Sequence, residues 1–156
     1  MNRQMLNRRE LLLCLGAATA LPSYGGISQK TIDRRNASEV GEYAIGFASK
    51  IVKGDDYEHA FVVWYYSDAA GMRTVRRAAG FYPAGDVEWY NLMLGAEGSI
   101  ADDARTKINE ELTVLVNGDI FNQAMSVEGR YKSGHTYRLG VDDCTTFVAE
   151  VASCIP

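Results

Sequence analysis

Cys144 and His59 are the two residues whose types and settings suit nucleophilic catalysis. Cys144 opens the stretch Cys144-Thr145-Thr146-Phe147-Val148-Ala149-Glu150-Val151-Ala152. Phe147, Val148 and Val151 give that stretch one apolar face, which predicts a helix, and Asp143 is its expected N-cap. A thiol in the first turn of a helix gains from the free amide N–H groups and the dipole, both of which favour thiolate. Its own N–H is a natural donor to an oxyanion. A histidine within reach takes the thiol proton and later returns it to a leaving group. Cysteine at a helix start with histidine at a strand start is what a thiol hydrolase needs.

Other residues compete for roles. His135 is the alternative base, although Gly134 beside it suggests an exposed turn. Asp143 and Asp142 place negative charge beside the thiol, which raises its pKa unless it is compensated. Tyr82 is a candidate lining of a substrate groove, with Trp89 and Tyr90, against the plainer expectation that aromatics pack. Arg76 and Arg77 read either as a solvated strand face or as a site for an anionic substrate. Cys154 follows Cys144 on the same expected helix. Ten helical residues rise about 15 Å, whereas a disulfide spans Cα atoms no more than about 7 Å apart. The two cysteines are therefore not expected to pair.

The elements that must position these residues follow from hydrophobic patterning. His59-Ala60-Phe61-Val62-Val63-Trp64-Tyr65-Tyr66 is rich in β-branched and aromatic residues and predicts a strand buried on both faces. Ser67 to Gly71 reads as a hairpin connection to a paired strand over Met72 to Tyr82, ended by Pro83. Gly41 to Val52 has helix-like spacing in Ala44, Ile45, Phe47, Ala48, Ile51 and Val52. Residues 84–106, punctuated by glycines, read as a surface excursion. Lys107 to Val116 alternates as a strand, and Asp119 is expected to cap a helix running to about Tyr131. Tyr137 to Leu139 is a short extended segment before the cysteine helix.

Residues 1–24 read as a signal peptide. Arg3, Arg8 and Arg9 form a basic start, Leu11 to Ala20 an apolar run, and Ala18-Thr19-Ala20 a small-residue exit. Asn7-Arg8-Arg9-Glu10-Leu11-Leu12 resembles the twin-arginine export motif, which is an address read by a receptor. The apolar run is shorter than the about 20 residues needed to span a bilayer. Residues 25–40 are expected to be a flexible lead-in and residues 41–156 one domain. The whole chain carries a formal charge of −4. Removing the signal takes three of 16 basic residues and one of 20 acidic ones, leaving about −6. That balance argues against nucleic acid or an anionic membrane as partner. No zinc-ligand spacing and no phosphate-binding glycine loop occurs, so no metal or cofactor is expected.

Asp143-Cys144-Thr145-Thr146-Phe147-Val148, preceded by Tyr137-Arg138-Leu139, resembles the nucleophile helix of the circularly permuted papain-like superfamily. Lecithin:retinol acyltransferase and several bacterial cell-wall hydrolases belong to that group. Its histidine strand precedes its cysteine helix, as His59 precedes Cys144 here, and Gly80-Phe81-Tyr82-Pro83 also fits bacterial members. The resemblance covers roughly residues 41–154. It implies an α+β papain-like fold, an antiparallel sheet packed against a nucleophile helix. It also implies an exported cysteine amidase or peptidase with Cys144 as nucleophile and His59 as base, acting on peptidoglycan stem peptides. The alternatives are an acyltransferase or thioesterase on lipid-like substrates, needing an apolar groove, and a non-catalytic periplasmic binding protein of the same fold. Members also carry a third polar residue that orients the histidine. It is expected on the second strand, which offers only Arg73, Thr74, Arg76, Arg77 and Tyr82.

Overall fold

The computed structural model describes residues 28–36, 42–51, 58–67, 73–104 and 107–156. The expected signal peptide lies outside them. The central element is β3 (Glu58–Ser67), the apolar run that opens with His59. It is flanked by β2 (Glu42–Ile51) and β4 (Arg73–Pro83), both antiparallel to it. From His59 to Tyr65 only Ala60 is partly open to solvent, which is why this segment lacks the alternation of a half-exposed strand.

The remaining strands are β1 (Ser28–Asp33), β5 (Ala96–Asp102), β6 (Glu110–Val116) and β7 (Thr136–Tyr137). Sheet order is β1-β6-β2-β3-β4-β5-β7. All neighbours are antiparallel except β1 and β6, which run parallel. The helices among the described residues are α1 (Trp89–Leu94), α2 (Gly118–Lys132) and α3 (Cys144–Ala152). None is long and apolar enough to cross a membrane.

One face of the sheet carries α2 and α3. Ile45 and Phe47 of β2, Val62 and Trp64 of β3, Ala79 and Phe81 of β4, and Val114 and Val116 of β6 point to it. They pack against Phe121, Ala124 and Val127 of α2 and Phe147, Val148 and Val151 of α3. The alternate residues, Ala44, Ala48, Phe61, Val63, Tyr65 and Ala78, form a second buried cluster on the opposite face. His59 and Lys50 belong to that second face, since they are direct cross-strand partners and His59 shares the parity of Phe61.

Several sequence expectations are corrected. Residues 42–51 are a strand, not a helix. Both faces of β2 are covered, so its apolar residues run almost continuously and mimic helical spacing. Part of the expected lead-in is β1, an edge strand in which Lys30, Thr31 and Asp33 are exposed, so it needs little apolar content. The expected excursion over 84–106 contains α1 and β5. Asp119 lies in the first turn of α2, whose N-cap is Asn117. Asn117 spends its side-chain oxygen on the backbone N–H of Asn36, 2.8 Å away.

Candidate functional site

Asp143 builds the end of α3 that carries Cys144. Its backbone is extended at φ −121 and ψ −170, and Oδ1 accepts from the N–H groups of Thr145 (3.0 Å) and Thr146 (3.2 Å) and from the Thr145 hydroxyl (2.6 Å). Oδ2 accepts from the N–H of Gly140 at 2.7 Å. Gly140 has φ +77, the left-handed conformation that suits glycine in a tight loop. Burial alone would push the Asp143 carboxyl up. The bonds from Thr145, Gly140 and Thr146 outweigh it and hold the group below its ordinary value. The cap consumes the N–H groups of Thr145 and Thr146 and leaves that of Cys144 beside the thiol.

The thiol of Cys144 is buried and faces the backbone N–H of Ala60, the residue after His59. Ala60 lies one residue beyond the last β3–β4 pair, Phe61↔Gly80. The helix end thus meets β3 where β4 has left it. Burial pushes the thiol pKa up. The N–H groups of Ala60, Thr145 and Cys144 oppose that rise, and the charge of Asp143 adds to it. The net direction is upward, so the resting group is a thiol. The helix end does not by itself produce a standing thiolate.

His59 approaches this junction from the other face of the sheet. Its ring stacks on that of Tyr82 with centroids 4.1 Å apart. Burial pushes the Tyr82 phenol up, and its bond to Asp103 adds to the rise. The imidazole and the phenol are in contact, and the thiol meets β3 one residue along, at Ala60. Among the described residues, buried Nε2 of His59 has no hydrogen-bond partner, and Asp103 Oδ2 lies 3.7 Å from it. That spacing exceeds hydrogen-bond length.

Asp103 follows the last residue of β5 and is itself buried. Lys50 of β2 donates to its Oδ1 at 2.8 Å, and the Tyr82 hydroxyl lies 2.9 and 2.8 Å from its two oxygens. Lys50 also donates to the Tyr82 oxygen at 2.8 Å. Burial pushes the Asp103 carboxyl up, yet His59, Lys50 and Tyr82 together hold it well below the usual carboxylate range. His59 is the most distant of these three. The two short contacts, to Lys50 and Tyr82, are what fix the carboxylate. Gly80 makes room for the cluster: a Cβ there would collide with Asp103 Oδ2 and fall 2.6 Å from His59 Nε2 and 2.7 Å from the Tyr82 ring.

The other expected site residues fall elsewhere or take different roles. Tyr82 is half-buried, with its hydroxyl on Asp103 and Lys50 and its ring against His59. Arg77 points to the helix face and pairs with Glu128 of α2. It is half-exposed and pairs with a carboxylate that, being buried, needs a cation. The side chain of Arg76 lies outside the described residues. His135 stacks on Tyr131 at 4.1 Å and lies 3.6 Å from Asp142 Oδ1, a contact set separate from Asp103 and Tyr82. Trp89 and Tyr90 are exposed on α1. Cys144 and Cys154 are both free thiols.

Sequence reasoning missed Asp103, Lys50 and the spatial role of Gly80. The signals were a glycine inside an otherwise well-formed strand, which marks close approach, and an acidic pair, Asp102-Asp103, closing a strand. Among the described residues no group of His, Cys, Asp and Glu is arranged to hold a metal ion. No family model, curated protein or solved structure matches the chain.

Proposed function

We propose that this chain is an exported thiol hydrolase of the permuted papain-like type that cleaves amide bonds, with the peptide stems of peptidoglycan as substrate class. The observation that carries the reading is the meeting of the Asp143-capped helix end with β3. There the Cys144 thiol faces the Ala60 N–H next to His59, and Asp103 stands behind the imidazole. The mechanism starts from a neutral thiol. His59 takes the S–H proton on Nδ1, the nitrogen not turned to Asp103, while Nε2–H points at Asp103 Oδ2. The sulfur bonds to the amide carbon, and the Cys144 N–H supports the oxyanion. The C–N bond breaks as the imidazolium proton passes to the departing amine. Water then attacks the thioester and gives a proton to His59, the acyl–sulfur bond breaks, and a carboxylate leaves with the thiol restored.

A second reading, acyl transfer or thioester hydrolysis on lipid-like substrates, is favoured by one feature. Trp89, Tyr90, Met93 and Leu94 of α1 are exposed together with Leu139 and Val141 of the loop that leads into Cys144. The N–H of Leu139 donates to the carbonyl of Leu92 at 2.8 Å, which ties that loop to α1. The apolar lip therefore adjoins the nucleophile helix, as an acyl-chain site requires.

The test is selective alkylation. An electrophilic probe should label Cys144 well before Cys154, and His59→Ala should abolish that preference. Equal labelling of the two thiols overturns an activated site. Digestion of purified peptidoglycan with release of new free amines, lost in Cys144→Ala, then separates the amidase reading from the acyl one.

A further inference from the structure

We propose that Lys50 is a positioning residue of this site, holding Asp103 and Tyr82 in the arrangement that lets His59 act as base. The inference rests on the hydrolase reading above. Three observations carry it. Lys50 and His59 are directly opposed across the β2–β3 ladder and so project from the same face. The Lys50 ammonium makes two 2.8 Å contacts, one to Asp103 Oδ1 and one to the Tyr82 oxygen, and is itself largely buried. It also lies 5.9 Å from the centre of the Phe61 ring and 5.3 Å from that of Tyr82, the two aromatics that stack on His59. One ammonium thus touches Asp103 and Tyr82 and lies near Phe61, three side chains that adjoin the imidazole.

Two consequences follow from elementary electrostatics. Asp103 is buried, and a buried carboxylate without a cation takes up a proton or moves toward water. The ammonium keeps it charged in place, with Oδ2 directed at Nε2. The Lys50 charge also offsets that of Asp103, so the imidazolium formed on deprotonating Cys144 faces a paired carboxylate and readily surrenders its proton to the leaving amine. Among the described residues, the charged and titratable groups at this junction include Lys50 from β2, His59 from β3, Tyr82 from β4, Asp103 after β5, Tyr137 of β7, and Asp143 and Cys144 at the start of α3.

The experiment measures the rate of Cys144 alkylation against pH in wild type, His59→Ala, Lys50→Met and Lys50→Arg, with thermal unfolding of each. Lys50→Met is expected to slow labelling at neutral pH by roughly tenfold to a hundredfold, the loss that misplacing a reacting group causes. It should also move the acidic limb of the profile to higher pH, because Asp103 then protonates sooner. Lys50→Arg should restore most of the rate. A Lys50→Met protein that melts lower but keeps the wild-type pH profile overturns the inference, while slowed labelling in His59→Ala leaves the hydrolase reading standing. Unchanged labelling in His59→Ala removes both. If Lys50→Met does not fold, Lys50→Gln and Asp103→Asn pose the same question, and a wild-type profile in either counts against the role.

Discussion

Gly80 and Asp103 are fitted to each other: the α-hydrogen of Gly80 lies under the Asp103 carboxylate, where a methyl group would strike Oδ2 and come within 2.6 Å of His59 Nε2. Gly80→Ala should push Asp103 away from the imidazole. We expect a loss of about 1–3 kcal/mol, the range for overpacking a closed site, together with loss of preferential Cys144 labelling. Gly129 is the control. It is a helical glycine of α2 with nothing within 4 Å of its would-be Cβ. Gly129→Ala should stabilise by about 0.5–1 kcal/mol and leave labelling untouched. Thermal melts and alkylation rates of the two variants check both halves.

Two parts of the site were legible in sequence for different physical reasons. The start of α3 was legible because capping is local: Asp143 reaches N–H groups only two and three residues away. β3 was legible because its β-branched and aromatic run admits little else. β2 was not, since Ala44, Ile45, Phe47 and Ala48 are buried on two faces and their spacing fits a helix equally well. Asp103 was hidden because its role comes from the order β3-β4-β5, which folds the end of β5 back past Gly80 to His59. Nothing in the local sequence Ala-Asp-Asp-Ala states that return. Arg77 looked solvated because its partner, Glu128, lies on a helix formed much later in the chain.

Removal of the α3 cap should cost stability and, through it, the thiol. Asp143→Ala leaves the N–H groups of Thr145 and Thr146 without their acceptor, at a cost of about 1–2 kcal/mol. Asp143→Asn should recover part of this, because an amide oxygen still accepts. Urea denaturation of the three proteins measures the series, and equal midpoints for Ala and Asp would contradict it.

Part of the acid sensitivity should trace to Asp103 and Asp143, two of the four buried carboxylates among the described residues. Asp103 and Asp143 both titrate below their ordinary values in the folded chain. Their stabilising contribution is therefore complete above the unfolded-state value of about 4 and is lost as pH falls through the lower folded-state values. Unfolding free energy should be flat in this term at neutral pH and fall below about pH 4. Asp103→Asn and Asp143→Asn should each flatten that fall. Parallel acid slopes in wild type and both variants would assign the loss to other groups.

Arg77 should prove structural. Glu128 is buried, accepts from Trp64 Nε1 at 3.0 Å, and is also approached by Lys132 Nζ at 3.1 Å. Arg77→Met removes the cation on the sheet side and leaves Lys132, so we expect a loss of about 1–3 kcal/mol instead of the full cost of an orphaned buried charge. Alkylation of Cys144 should keep its wild-type rate once the protein is folded. A slowed rate at unchanged stability would return Arg77 to the site.

The apolar lip of α1 separates the two functional readings without touching Cys144 or His59. Trp89 and Leu94 are each 75% exposed, so polar replacements remove almost no buried area, and Trp89→Ser with Leu94→Ser should shift stability by no more than about 0.5 kcal/mol each. Under the amidase reading, release of amines from peptidoglycan stays near wild type. Under the acyl reading, hydrolysis of long-chain thioesters falls while that of acetyl thioesters does not, because only the long chain extends from the thiol across Leu139 and Val141 to α1. Chain-length profiles of the double variant against wild type decide between them, since a peptide substrate has no reason to follow the length of an acyl tail.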